Sequence, residues 1–250
     1  MESSTIPAAP ASAPAKDQSF WEDLIDIFIS PAGVFRRRQN KSVWPPLLFV
    51  SIAIGVIVFA TFNTVQPIFE AEFNRATAAQ LAHNPNAPRA TAEQLAKIRD
   101  ISVSVIRYGI APTTLLTMLL VGAVAWLVGK LVGSKQTFQA ALVVAAWSYM
   151  PRVLDAVLGG VQGLMMDESK LTGRAVLSLG PARFFNPDTT NPLLLQLLLR
   201  FDLITLWVTV LLAVGLYVTG KVTKERAVIF GILIWLVGGL YQFRQGYMAM

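Results

Sequence analysis

Cysteine is absent from this 250-residue chain, and histidine occurs once, as His83. Those two absences exclude disulfide frameworks, thiolate nucleophiles, zinc clusters and a Ser-His-Asp triad built around an embedded histidine. Charge is scarce as well: Asp, Glu, Lys and Arg make up 14% of the residues, against roughly 25% in soluble domains. What is abundant is apolar, 54% of the chain. It is gathered into runs such as 43–65, which no soluble core of this size could bury together. The class that remains is a polytopic membrane protein, and neither an enzymatic constellation nor a cofactor site stands out.

Residues 1–18 are rich in Ala, Pro and Ser. They read as a disordered cytoplasmic tail rather than a signal peptide, which needs an apolar run of roughly 7 to 15 residues. Residues 19–30 read as a short amphipathic helix capped by Ser19 and stopped at Ser30-Pro31. Phe20, Trp21, Leu24, Ile25, Phe28 and Ile29 share one side of it, and Glu22, Asp23 and Asp26 the other. About ten residues cannot cross a bilayer core of roughly 30 Å, so this helix lies in the interface or packs on the mouth of the bundle. Residues 31–250 form the membrane domain, with spans at about 43–65, 110–132, 138–165, 192–219 and 227–243, each near the roughly 20 residues a spanning helix requires. The expected fold class is all-α: a polytopic bundle of five transmembrane helices with an N-terminal interfacial helix.

The short connections 133–137 and 220–226 make antiparallel hairpins of spans two and three and of spans four and five. The long ones, 66–109 and 166–191, then lie together on the opposite side. In the first, 76–82 and 91–107 read as helices divided by the breaker Asn84-Pro85-Asn86-Ala87-Pro88. Basic residues close to span ends crowd the N-terminal side, among them Lys130, Lys135, Lys221 and Arg226. That bias predicts a cell inner membrane protein with its N-terminus in the cytoplasm and its C-terminus outside. The formal net charge of +6 is thereby assigned to topology and anionic lipid rather than to nucleic acid. Trp21, Phe28, Arg36, Arg37, Arg38 and Lys41 are the candidate lipid-interface residues, each basic one worth roughly 1 kcal/mol at an anionic surface. Setting topology is the plainer role for the same basic run.

Residues 215–222 come within one residue of a phosphate-binding loop, but Val222 stands where a Ser or Thr is needed and a membrane helix precedes it, so no nucleotide is expected. Gly129/Gly133 and Gly159/Gly163, at four-residue spacing, allow close helix approach.

The most informative residues are charges inside the spans. Pro151 interrupts span three and is followed by Arg152 and, one turn on, Asp155; span four carries Arg200 and Asp202. At about 1.5 Å per residue, all four lie roughly 21 to 28 Å from the cytoplasmic ends of their spans. Isolated charges at such depth cost several kcal/mol, so a neutral cluster is expected in which Arg152 bonds both Asp155 and Asp202. It serves as a structural clasp or as a path for protons or substrate; a dry, paired cluster favours the first and a water-accessible cavity reaching both carboxylates the second.

Several segments together resemble bacterial members of the Yip family: the interfacial helix, Ser30-Pro31 leading to Phe35, Trp44-Pro45 entering span one, and Thr137-Phe138 with Tyr149 and Pro151. Phe201-Asp202-Leu203 with Trp207, and 211–220 before a basic turn, complete the pattern. The resemblance covers about residues 20–243 and implies five spans, a cytoplasmic N-terminus and an exterior C-terminus. Eukaryotic relatives interact with Rab-type GTPases and act in vesicle traffic and membrane shaping, whereas bacterial members sometimes look like accessories to transporters. The expected function is a non-enzymatic scaffold or accessory protein that binds lipid or other membrane proteins, with self-association left open. The alternative is a small transporter or channel using the Arg/Asp cluster.

Overall fold

The computed structural model describes residues 18–83 and 90–248. The tail 1–17, the breaker 84–88 and the side chain of His83 lie outside the described residues. The chain folds as α1 (Phe20–Ile29), α2 (Pro31–Arg38), α3 (Trp44–His83), α4 (Ala92–Leu131), α5 (Phe138–Ser148) and α6 (Met150–Met165), followed by α7 (Pro192–Arg200), α8 (Leu203–Gly220) and α9 (Lys224–Met248). Three short 3-10 helices lie between α6 and α7. The described residues form an all-helical bundle in which five stretches are long and apolar enough to cross a membrane: α3, α4, the α5–α6 pair, α8 and α9.

Local chemistry sets the boundaries. Ser19 and Thr91 open α1 and α4 with reciprocal capping boxes to Glu22 and Gln94. The side chains of Thr137, Asn191 and Asp202 cap α5, α7 and α8. At the turn after α4, Gly133 takes φ +80, and Lys221 ends α8 in the left-handed region at φ 54. The near-match to a phosphate loop is therefore a helix end.

Two expectations are corrected here. The helices read at 76–82 and 91–107 are continuous with the neighbouring spans: α3 and α4 each run 40 residues, close to 60 Å and about twice a bilayer core. Pro67 and Pro112 sit inside them without ending them. Beyond the apolar end of span one, α3 continues as an arm roughly 27 Å long with the first turns of α4 beside it; Gly55 meets Ala111 and Phe59 meets Tyr108, so α4 from about Tyr108 onward lies beside span one. The loop 166–191 packs at its base: Arg75 Nε donates to Asp188 at 2.7 Å, Arg75 also donates to the Thr172 carbonyl, and the Arg174 amide donates to Glu72 at 3.2 Å. The second correction concerns span four, which is two helices; Phe201-Asp202 breaks the run, leaving α8 as the crossing element.

The end of the bundle holding α1 and α2, called the near end, is the more tightly filled. Val50, Met118, Val143, Trp147, Leu211 and Leu216 are all buried in one cluster with Ile27, Val34 and Phe35 of the N-terminal hairpin. At the α3–α6 interface a Cβ on Gly160 would stand 2.7 Å from Thr61, and one on Gly163 2.7 Å from Val65. Gly160 and Gly163 therefore set the close approach, whereas Gly159 borders a cavity and Gly133 shapes a turn.

The helix α1 packs into the near half of the bundle rather than only at its mouth. Phe20 meets Trp147 with ring centroids 5.4 Å apart, and Phe28 meets Trp207 at 5.4 Å. Its faces differ from the simple amphipathic reading. Asp23 is fully buried, and the exposed stripe is apolar: Trp21, Ile25 and Ile29, at four-residue spacing. The reason is the adjacent basic helix. Asp23 accepts from Arg37 at 2.5 Å and from Arg38, while Asp26 accepts from Arg37 at 2.8 Å, so the acidic side turns inward toward α2.

Candidate functional site: a polar cavity in the far half of the bundle

The Tyr149 hinge between α5 and α6 and the Phe201-Asp202 break between α7 and α8 stand opposite each other. Between them, walled on the remaining sides by α3 and α4, lies a cavity of about 530 Å³. A proline at the second residue of α6 and a capping aspartate at the start of α8 produce the two breaks. Both interruptions turn polar backbone and side chains toward a protein-lined space, where irregular backbone at membrane depth is tolerated.

Arg152, Asp155 and Asp202 line this cavity, together with Tyr149, Thr205, Ser178 and a threonine wall from α3 and α4. Arg152 Nη1 donates to Asp155 Oδ2 at 3.0 Å, and Nη2 donates to Thr205 Oγ1 at 2.9 Å. The Arg152 and Asp155 side chains keep 31% and 34% of their surface, which makes this an open pair rather than a sealed one. The expected bond from Arg152 to Asp202 is not among the ion pairs of the described residues. Asp202 is taken up by helix and loop instead. Its Oδ1 accepts from the Ile204 and Thr205 amides at 3.0 and 3.4 Å, and its Oδ2 from Ser178 Oγ at 2.9 Å and the Leu179 amide at 2.7 Å. Four donors satisfy a buried carboxylate without a cation.

Arg200 leaves the cluster. Its side chain, 8% exposed, turns to α9, donates to the Trp235 carbonyl and lies 5.2 Å from the centroid of the Trp235 ring. Trp235 Nε1 returns a bond to the Arg200 carbonyl at 3.1 Å. Gly238 and Gly239 make the room, since a Cβ on either would stand 3.3 Å from the guanidinium. The four charges thus divide into a pair facing the cavity, a cap and a clasp.

Sequence reasoning missed the threonine wall. Thr113 and Thr117 are one turn apart on α4, and Thr61 and Thr205 face the same space from α3 and α8. The i, i+4 spacing of Thr113 and Thr117 within an apolar span was the available signal. Thr61, Thr114 and Thr117 donate to carbonyls of their own helices at 2.7 to 2.9 Å, so their oxygens offer lone pairs to the cavity. Gln242 also borders it, and its buried Oε1 has no hydrogen-bond partner.

The cavity has a mouth side and a floor. Arg174, Leu177 and Ser178 of the far loop border it. Toward the near end, the next residues along each wall are buried: Val50 beyond Ile54, Met118 beyond Thr117, Trp147 beyond Tyr149 and Val208 beyond Thr205.

The lipid-interface candidates sort differently. Arg37 and Arg38 are held by Asp23 and Asp26; desolvation pulls the Arg37 guanidinium down, but its bonds and charge contact with Asp23 and Asp26 outweigh that and hold it above its ordinary value. Arg36 and Lys41 are exposed, as is Trp21, whereas Phe28 is half-buried against Trp207.

Comparison with known proteins agrees with this architecture. The chain is similar to the membrane protein YknW of Bacillus subtilis (strain 168), with 23% identity over 217 residues covering 84% of this chain and 86% of the relative. No solved structure matches. The family model for the Yip1 domain matches residues 25–243, from within α1 to the last turns of α9, and the chain therefore belongs to the Yip1 domain family.

Proposed function

We propose that this protein is a non-enzymatic accessory of the inner membrane that docks other membrane proteins through the α3–α4 arm, with its N-terminus in the cytoplasm and the arm outside. The observation that carries the reading is a stripe on α4. Ile98, Ile101, Val105 and Tyr108 are exposed by 49, 54, 62 and 67% and follow a 3-4-3 spacing, the seam of a helix that packs against another helix. The stripe continues into the lipid-facing Leu116 and Leu120, each 64% exposed. A partner helix can therefore follow α4 from bilayer to water. Tyr108 packs on Phe59 of span one, while Ile98 and Ile101 lie at or beyond the level where that span's apolar run ends; apolar exposure in that part is a mark of an interaction site.

The test is affinity purification of the full chain in mild detergent, wild type beside Ile98→Asp/Ile101→Asp. A membrane protein that co-purifies in fixed ratio with the wild type and is lost from a variant of unchanged thermal stability supports docking. Identical co-purification, or none, opposes it.

A second reading, a small transporter using the Arg/Asp cluster, draws support from the cavity that reaches both Asp155 and Asp202. The buried floor beneath it argues against a continuous pore in this conformation.

A further inference from the structure

We propose that the far-half cavity binds a zwitterionic phosphoamine group, its oxyanion on Arg152 and its ammonium at Asp155 and the threonine oxygens, carried on a lipid whose apolar part lies along α3 and α4. The inference is independent of docking on the arm.

The electrostatics of the walls narrow the ligand. The charged side chains that border the cavity are Arg152, Arg174, Asp155 and Asp202, two of each sign. An anion alone would meet two carboxylates, and a cation alone would meet Arg152. The exposed charge is a dipole: a guanidinium and a carboxylate 3.0 Å apart, each keeping about a third of its surface. The complement of such a pair in a medium of low dielectric is another pair of opposite sense.

Hydrogen-bonding capacity points the same way. Arg152 has five N–H donors; one goes to Asp155 and another to Thr205, which leaves donors for an oxyanion. Asp155 accepts from Arg152 through Oδ2, leaving Oδ1 for a donor. Thr114 and Thr117 have committed their hydrogens to carbonyls, and Gln242 Oε1 has no partner. Thr61, Thr114, Thr117, Gln242 and Asp155 therefore supply acceptors to the lining, and an ammonium with three N–H groups satisfies several of them. Asp202, with four donors already, is a fixed boundary.

The remaining lining supplies the reason for a lipid. Ile54, Val58 and Ile110 form an apolar strip on α3 and α4 that a free, fully solvated zwitterion does not need. A volume of about 530 Å³ falls within the roughly 300 to 1,000 Å³ of small-molecule sites, enough for a headgroup and the first part of a chain.

The experiment uses the full-length protein in detergent and native mass spectrometry with dioctanoyl phosphatidylethanolamine, phosphatidylcholine and phosphatidylglycerol, plus free phosphoethanolamine as competitor. Wild type is expected to retain the ethanolamine lipid about tenfold better than the glycerol lipid, the scale of one charge-assisted bond. The choline lipid, whose quaternary ammonium has no N–H to donate, should fall between or below. Asp155→Asn should abolish the preference while the protein still unfolds at the wild-type temperature, and Ala156→Leu, which fills the cavity, should weaken all three lipids. Equal retention of ethanolamine and glycerol lipids by wild type, or an unchanged preference in Asp155→Asn, would overturn the assignment. Competition by free phosphoethanolamine at equal concentration would keep the headgroup chemistry but overturn the lipid as its source; failure to compete supports the lipid.

Discussion

The two halves of the bundle are built from the same five crossings and solve the burial of polar atoms in opposite ways. In the near half, charge is kept to helix ends and turns such as Lys130 and Arg226 and to the N-terminal hairpin, where Asp23 ties α1 to Arg37 and Arg38. Below it the core closes around Trp147, Met118 and Leu211. In the far half two helices break at Tyr149 and Phe201-Asp202 and enclose a cavity with a partly exposed ion pair. Helix association in a bilayer relies on close packing rather than on expulsion of water. The near half supplies that packing, and the far half can therefore carry interruptions that a uniformly loose bundle could not.

The largest expected effect comes from the ionic tie. Asp23→Ala leaves Arg38 without its carboxylate and Arg37 with Asp26 alone, and thermal unfolding in detergent should show a loss of about 2 kcal/mol, below the buried-pair range because both arginines are partly exposed. A loss under about 0.5 kcal/mol, the range of an ordinary surface change, would mean that the hairpin is an ornament on the near half.

A matched pair of substitutions sharpens the contrast. Ala145, fully buried in the near core, has no room, so Ala145→Leu should cost about 1 to 3 kcal/mol by overpacking. Ala156 borders the cavity, and Ala156→Leu should stay within about 0.5 kcal/mol of wild type. Equal losses in the same unfolding assay would erase the distinction between the halves.

The charge exchange follows in size. Asp202→Arg combined with Arg152→Asp should fold no better than Asp202→Arg alone, since Asp202 serves amides and Ser178 rather than Arg152; Asp202→Asn keeps the helix cap through Oδ1 but sets an NH2 against the Leu179 amide, and should cost about 1 kcal/mol through that lost acceptor. Recovery of folded yield by the exchange would restore the direct pair. Smallest is Lys221→Gly, which should gain about 0.5 to 1 kcal/mol by relieving a left-handed residue at φ 54, read as a small rise in unfolding temperature.

Apolar runs were enough to find five crossings, and Pro151 announced the α5–α6 break, because span length and proline chemistry are local properties. The lengths of α3 and α4 were less legible. The apolar signal stops near Val65 and resumes near Ile110, while the backbone helix continues through the polar stretches to His83 and from Ala92. The partners chosen by the four charges were least legible. Asp202 binds Ser178, 24 positions away in a loop, and Arg200 binds the Trp235 carbonyl, 35 positions away. Those choices depend on helix rotation at the two breaks, which no periodicity records. The inward turn of Asp23 had a readable cue in Arg37 and Arg38, but only if the helix after Pro31 folds back on α1.

Absence of cysteine makes the decisive measurement a clean one: single-cysteine variants Ala156→Cys in the cavity and Ala145→Cys in the near core, reacted with a membrane-impermeant cationic thiol reagent added to either face of intact and inverted membrane vesicles. The one-ended cavity predicts that the cysteine at 156 is modified from one face alone, the face opposite the α1–α2 hairpin, and that at 145 from neither. Modification of 156 from both faces, or from neither, would contradict it.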